Sequence, residues 1–325
     1  MKKTAVAPSN IAFIKYWGKK DEALRLPSNG SISMNLSNLL TTTTVEFDDQ
    51  YKKDEVVIEG STEMRDIQKV IAHLNLIRNR ANIKTYAKVM SQNNFPSSTG
   101  LSSSASGFAA LTVAAAAAAG LSLNEKETSI LARIGSGSAC RSIPSGFVEW
   151  LDGNDSESSY AESIYPPGHW DIVDVVAVVS REKKEVSTTD GHRLASTSPF
   201  NELRLSHVSK RIAECKKILK EKKFTLFGEL MEKEALEMHA IMITSSPPLI
   251  YWLPTTVLLI KEVKLWRKEG LEAYFTINTG QDIHVICEGK NKEPVIERLK
   301  KIQEVIKIIP NSSSIGAHLI DTPLF

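Results

Sequence analysis

The chain has 325 residues, 42% of them hydrophobic and 24% charged, the balance of an ordinary globular protein with room for two modest domains or one large one. Its formal net charge of +2 argues against a general nucleic-acid binder, while leaving room for a local basic pocket that takes a phosphorylated small molecule. Three scattered cysteines, Cys140, Cys215 and Cys287, form no CxxC or His/Cys cluster, which speaks against a disulfide framework or a zinc module and fits a reducing cytoplasm.

Lys2 and Lys3 are followed by no sustained apolar run, because Asn10 and Lys15 interrupt it, so no signal peptide is expected. Residues 4–15 alternate loosely and predict a strand that enters a loop at 16–21. Residues 31–36, 41–47 and 55–58 predict further strands, with a charged turn before the last. Apolar side chains at Met64, Ile67, Val70, Ile71, Leu74 and Ile77 give the helical period of a helix over 63–80. A strand over 85–91 follows. A helix is expected from about 104 to 119, ending at Gly120, and another over 125–135 with Asn124 as its N-cap. The apolar stretch 108–119 is too short and too rich in alanine to span a bilayer.

The polar loop 152–159 is the best place to look for a change of domain. Beyond it, 173–179 predicts a buried strand, 206–222 and 226–239 predict helices, and 249–269 predicts a mostly helical stretch despite Pro254. Residues 273–277 and 283–287 frame a strand–turn–strand around Thr279 and Gly280, and 293–303 closes as a helix. The interleaving of strands and helices indicates an α/β or α+β protein. Trp150, Trp170, Trp252 and Trp266 are expected in the core, and His239 and His284 in structural or supporting positions.

Three turns carry the chemistry. The first runs from Asn94 through Pro96, Gly100, Leu101, Ser102, Ser103 and Ser104 to Gly107, straight into an alanine-rich helix. Small side chains let the backbone approach an anion, hydroxyls add donors, and the helix N-terminus adds free N–H groups and a positive dipole end. The segment suits a phosphate cradle, but it also fits a plain turn. No Gly-Lys-Ser/Thr closes it, so it is not a P-loop, and it is not GxGxxG. The second turn, 135–146, is again rich in glycine and serine and holds Arg141, which could fork onto a carboxylate or phosphate. The third, Asn278-Thr279-Gly280-Gln281-Asp282, could close a site and offer a general base, or be a simple hairpin turn. Lys15, Lys19 and Lys20 flank Tyr16-Trp17-Gly18, where they could meet phosphate oxygens or face solvent.

In this order, the three turns resemble those of the GHMP kinase superfamily, and within it the mevalonate diphosphate decarboxylase family, over nearly the whole chain. Residues 7–19 are similar to that family's N-terminal signature, 93–107 to its ATP-phosphate loop and 135–142 to its substrate loop. The Lys-Tyr-Trp-Gly-Lys and Ser-Ala-Cys-Arg-Ser strings are the specific part of the match. The resemblance implies a GHMP kinase-like α+β fold. Residues 1–170 would form an ATP-binding half like domain 2 of ribosomal protein S5, and 171–325 a ferredoxin-like half, with a cleft between them. It implies ATP and Mg2+, a phosphorylated mevalonate as small-molecule substrate, no nucleic-acid or membrane partner, and a homodimer in the cytoplasm.

The reaction so implied phosphorylates the C3 hydroxyl of 5-diphosphomevalonate and then loses phosphate and CO2, giving isopentenyl diphosphate. By the same resemblance Asn94, Pro96, Gly100, Leu101, Ser102, Ser103, Ser104 and Gly107 would hold ATP, with Ser104 on the metal. Arg141 would bind the substrate carboxylate, and Lys15 would sit by the reacting hydroxyl. Tyr16, Lys19, Ser138 and Ser187 would hold the rest of the substrate. One position departs. The family's third turn reads Asp-Ala-Gly-Pro-Asn and its aspartate is catalytic, whereas here Asn278 takes that place and Asp282 takes the place of the amide. An amide cannot accept the hydroxyl proton as a base. The expectation is therefore that Asp282 reaches in as the working carboxylate. The departure also leaves open a phosphomevalonate decarboxylase, an ATP-independent mevalonate 3,5-bisphosphate decarboxylase, a mevalonate 3-kinase and a non-catalytic binder of isoprenoid phosphates.

Overall fold

The computed structural model of the protein describes residues 1–95, 100–182 and 184–325. Its first half runs β1 (Lys2–Ile14), the small hairpin β2 (Lys19–Asp21) and β3 (Leu26–Pro27), β4 (Ser31–Phe47), β5 (Glu55–Ile58), α1 (Met64–Ala81), β6 (Ala87–Asn93), α2 (Ser103–Ala118), α3 (Glu125–Gly135), a 3-10 turn (Gly137–Ser142), β7 (Phe147–Trp150) and β8 (Ala161–Tyr165). The second half runs β9 (Ile172–Val178), α4 (Thr188–Arg193), α5 (Asn201–Glu221), α6 (Phe224–Ile243), α7 (Pro254–Lys268), β10 (Tyr274–Thr276), β11 (Ile283–Glu288), α8 (Lys292–Lys300), β12 (Lys307–Ser312) and β13 (His318–Ile320).

A seven-stranded sheet has the order β13-β1-β4-β6-β5, with β7 and β8 added along the other end of β4. A second, antiparallel sheet has the order β10-β11-β9-β12. The last strand, β13, thus returns to the first sheet and pairs with β1. Residues 31–36 and 41–47, expected as two strands, form one long strand. The expected break survives as an irregularity: pairing with β1 jumps from Pro8 opposite Leu40 to Asn10 opposite Asn35.

That jump exchanges the faces of β1, because side chains alternate with a period of two. Before it, Ala5 and Ala7 pack against the small side chains of α2, including Ala109, Ala110, Ala114 and Ala115. After it, Ile11 and Phe13 enter a core shared with Val176 of β9, Ile286 of β11 and Phe227 of α6. The alanines serve this contact, since a helix face made of small side chains lies close on a sheet. Pro254 also has a positive role: it opens α7 at the first helical position, where its missing N–H costs nothing. The expected helix over 249–269 therefore begins only there. Asn124 caps α3 with a reciprocal Glu127 contact, as the sequence predicts.

Candidate active site

The three turns meet. A cleft of about 530 Å3 is lined by all three of them, by the end of β1 and by strands of the first sheet. From the first turn come Gly100, Ser102, Ser103, Ser104 and Gly107, from the second Ser138 and Arg141, and from the third Asn278 and Thr279. Lys15 and Tyr16 come from just beyond β1, and Ser187 from the N-cap of α4.

Local structure explains each placement. Ser102 takes a left-handed conformation and supplies no side-chain cap to α2. The first turn of α2 also carries no acidic residue, so its positive end faces the cleft uncompensated, as an anion site requires. Gly137 is needed because a Cβ there would meet the Tyr16 hydroxyl at 2.8 Å. Arg141 is buried at 4% exposure and is aimed by two partners: its Nη1 donates to Ser31 Oγ at 2.8 Å and its Nη2 to Asn10 Oδ1 at 3.1 Å. Asn10 in turn donates to Ser142 Oγ at 2.8 Å. No carboxylate neutralises this guanidinium by a salt bridge among the described residues, which suits capture of a substrate carboxylate.

Lys15 is the most tightly held residue of the site. Its backbone N–H donates to Glu234 Oε2 at 3.1 Å, and its carbonyl accepts from Asn29 Nδ2 at 2.9 Å and Arg204 Nη2 at 2.8 Å. Its Nζ donates to Ala12 O at 2.7 Å and to Asn278 Oδ1 at 3.1 Å. Burial pushes this amine well below the ordinary lysine range, against the pull of Glu234 and with help from Arg141.

The third turn differs from expectation. Asn278, not Asp282, faces the cleft: its Nδ2 donates to Ser102 Oγ at 3.1 Å, and His239 Nε2 supports its carbonyl oxygen from behind at 3.1 Å. Asp282 is 2% exposed and does not line the cleft; its Oδ1 accepts the backbone N–H of Val179 at 2.9 Å. The side chain is turned toward the end of β9, where a buried N–H requires an acceptor. The expected exchange, in which Asp282 reaches into the cleft, is therefore not what the geometry shows.

Other expected residues lie at the margins. Leu101 is buried in the shared core and its side chain does not line the cleft. Asn94 accepts the Leu40 N–H at 2.9 Å and follows directly on the last β4–β6 pair. Lys19 pairs with Glu22 at 2.6 Å and lines a smaller adjoining cavity with His192 and Arg193. Ser187 lines the cleft but its hydroxyl also donates to Asp190 and caps α4. Pro96 lies outside the described residues.

The structure adds residues that the sequence did not single out. Lys184 lines the cleft, donating to Thr279 O at 2.7 Å, and burial lowers its amine to about 8. Arg65 of α1 reaches Asp190 of α4 through two contacts of 2.9 Å, joining opposite walls. Arg65 and Ser187 hold the Asp190 carboxyl down at about 2.

Comparisons with known proteins give the family of the chain. Residues 7–161 match the diphosphomevalonate decarboxylase-like N-terminal domain, and residues 174–317 match the mevalonate 5-diphosphate decarboxylase C-terminal domain. The chain belongs to the diphosphomevalonate decarboxylase family. It is 36% identical to the diphosphomevalonate decarboxylase of Candida albicans over 92% of this chain and 87% of that protein. It is 39% identical to the human one over 76% of this chain and 66% of that protein. Among solved structures, the complex of MDDEF with MVAPP, AMPPCP and magnesium has a TM-score of 0.93 at 38% identity, covering 99% of both chains. The mevalonate diphosphate decarboxylase of Staphylococcus aureus has a TM-score of 0.92 at 37% identity, covering 98% of both. The mixed α+β fold expected from the resemblance is thus the fold of the family.

The residues present fit a nucleotide with Mg2+. The uncapped start of α2, its serines and Lys184 form a cradle for phosphates. Among the described residues no group of three or more His, Cys, Asp or Glu could hold a metal. Mg2+ in nucleotide sites characteristically binds through the phosphates and keeps several of its waters.

Proposed function

We propose that this protein is an ATP- and Mg2+-dependent decarboxylase of 5-diphosphomevalonate, phosphorylating the C3 hydroxyl and then releasing phosphate and CO2 to give isopentenyl diphosphate. One observation carries the reading. A buried, unneutralised arginine and an uncapped helix N-terminus share one cleft, with Lys15 between the turns that hold them. An acid that must be phosphorylated before it loses CO2 needs both ends of that arrangement.

In this proposal ATP supplies the phosphoryl group that turns a poor leaving group into a good one, and Mg2+ offsets its charge. Ser103, Ser104 and the backbone at Gly100 would hold the phosphates, Ser104 Oγ would reach the metal, and Gly107, one turn into α2, leaves the cleft open because it carries no Cβ. Arg141 fixes the carboxylate so that the breaking C–C bond lies in line with the departing phosphate, and Lys15 stands at the C3 oxygen. Tyr16, Lys19, Ser138 and Ser187 hold the 5-diphosphate end. These roles are positioning and electrostatics, which is what this chemistry asks of a protein.

The assembly proposed with this activity is a homodimer in the cytoplasm, an expectation carried by the resemblance and measured by sedimentation. Among the described residues no helix is long and apolar enough to cross a membrane. The activity is tested with carboxyl-labelled 5-diphosphomevalonate. Label should leave as CO2 only when ATP and Mg2+ are both present.

A further inference from the structure

The amine of Lys15 has two acceptors, Ala12 O at 2.7 Å and Asn278 Oδ1 at 3.1 Å. A neutral amine has two N–H donors and one lone pair, so these acceptors use both donors and leave the lone pair at the third tetrahedral position. Lys15 lines the cleft, so a ligand bound there would lie beside its amine. The orientation of Asn278 is fixed by its other end, since Nδ2 donates to Ser102 Oγ and Asn10 O. Lys15 therefore faces a carbonyl oxygen, not a carboxylate. A carboxylate at this distance would hold the lysine as an ammonium ion.

We propose that Lys15, as the free amine, accepts the proton of the substrate C3 hydroxyl during phosphoryl transfer and returns it to the phosphate as it departs. This rests on the function proposed above and replaces Asp282 as the base. In the first step the C3 oxygen forms a bond to the γ phosphorus of ATP. The O–H electron pair stays on oxygen, the proton moves to Nζ, and ADP leaves with the electrons of the broken P–O bond. In the second, the C3–O bond breaks with its electrons going to phosphate, which takes the proton from Nζ. The C–C bond electrons become the new double bond as CO2 leaves. The proton count closes, and the amine is restored for the next turnover.

The surroundings fit this role. Glu234 of α6 and Asp174 of β9 favour the ammonium form, whereas burial, Arg141 of the 3-10 turn and Arg204 of α5 disfavour it, and burial dominates. His239 of α6, behind Asn278, is itself held neutral by burial. The clamp on the Lys15 backbone by Glu234, Arg204 and Asn29 fixes the amine with little freedom to swing out.

The test joins a titration with a rate profile. In the ligand-free protein carrying 13C-labelled lysine, the Cε signal absent from Lys15→Arg should titrate with a midpoint far below the ordinary lysine value of about 10.4. Asn278→Asp should raise that midpoint. The rate of ADP formation by the unaltered protein should fall on the acid side with the same midpoint, up to the effect of substrate on it. Lys15→Arg should bind an ATP analogue normally and lose about 100- to 10,000-fold in ADP formation, the range of a general base. A Lys15 signal that titrates near 10 would overturn the proposal, as would ADP formation within about threefold of normal in Lys15→Arg. If Lys15→Arg does not fold, the titration of the unaltered protein against its own rate profile still decides. Absence of ADP formation by the unaltered protein would instead refute the proposed function, whatever Lys15 does.

Discussion

Gly100 and Gly280 touch backbone to backbone: a Cβ on Gly100 would stand 2.7 Å from the Cα of Gly280. The two residues belong to the first and third turns, and their contact is what brings the start of α2 against Asn278. Gly100 also has φ of +112°, which side chains strongly disfavour. Contact and conformation both demand glycine.

Gly100→Ala should therefore part the two turns. The expected effect is a loss of about 1–3 kcal/mol in stability and at least a tenfold weaker nucleotide affinity, read by urea denaturation and by titration with an ATP analogue. Unchanged affinity would mean that the turns bind nucleotide independently of their contact.

Arg141→Lys keeps the charge but not the fork. Arg141 donates to Ser31 and Asn10, lies over the Trp150 ring and still lines the cleft. A single ammonium cannot do all of this. We expect kcat/KM for the acid substrate to fall on the order of 100-fold, with ATP-analogue affinity unaltered. A parallel loss of both would show that the substitution disturbs the fold rather than the carboxylate subsite.

Glu234 is fully buried between Arg204 and Arg211 while accepting the Lys15 N–H. Replacing one member of such a network strands the charges of the others. Glu234→Gln should cost about 3–5 kcal/mol in urea denaturation and should also depress turnover by loosening Lys15. A cost under about 1 kcal/mol would show that the arginines find other partners.

Buried histidines set the acid stability. Burial lowers His73 to about 4 and His239 to about 3, and it lowers His192 well below the ordinary value. Below pH ~6.5 the unfolded chain takes up these protons while the folded one does not, so acid favours unfolding. The stability contributed is whole above pH ~6.5 and is lost progressively as pH falls toward the folded values, at about 1.4 kcal/mol per pH unit for each histidine. Urea titrations at pH 7 and pH 5 measure this, and His73→Gln should reduce the slope by one histidine's share. An equal slope in that variant would assign the acid sensitivity elsewhere.

Much of the site was legible because its chemistry needs residue types that stand out. Glycine and serine clusters before a helix, and an arginine inside a turn, mark Ser103, Ser104 and Arg141 with no knowledge of the fold. The facing of the third turn was not legible. Asn278 and Asp282 are both turn residues, and sequence alone does not show that Asp282 turns to the Val179 N–H while Asn278 faces the cleft. Lys184 sits in a run of charges at 181–185 that resembles solvated surface, and Glu234 occurs in an amphipathic helix where glutamates are ordinary. Likewise, nothing local announces that β13 crosses back to β1, because that pairing joins residues at opposite ends of the chain.

The most direct measurement is the stoichiometry of one complete reaction with 5-diphosphomevalonate, ATP and Mg2+. The account predicts one ADP, one phosphate, one CO2 and one isopentenyl diphosphate for each acid consumed. ADP without CO2, or CO2 released in the absence of ATP, would contradict it.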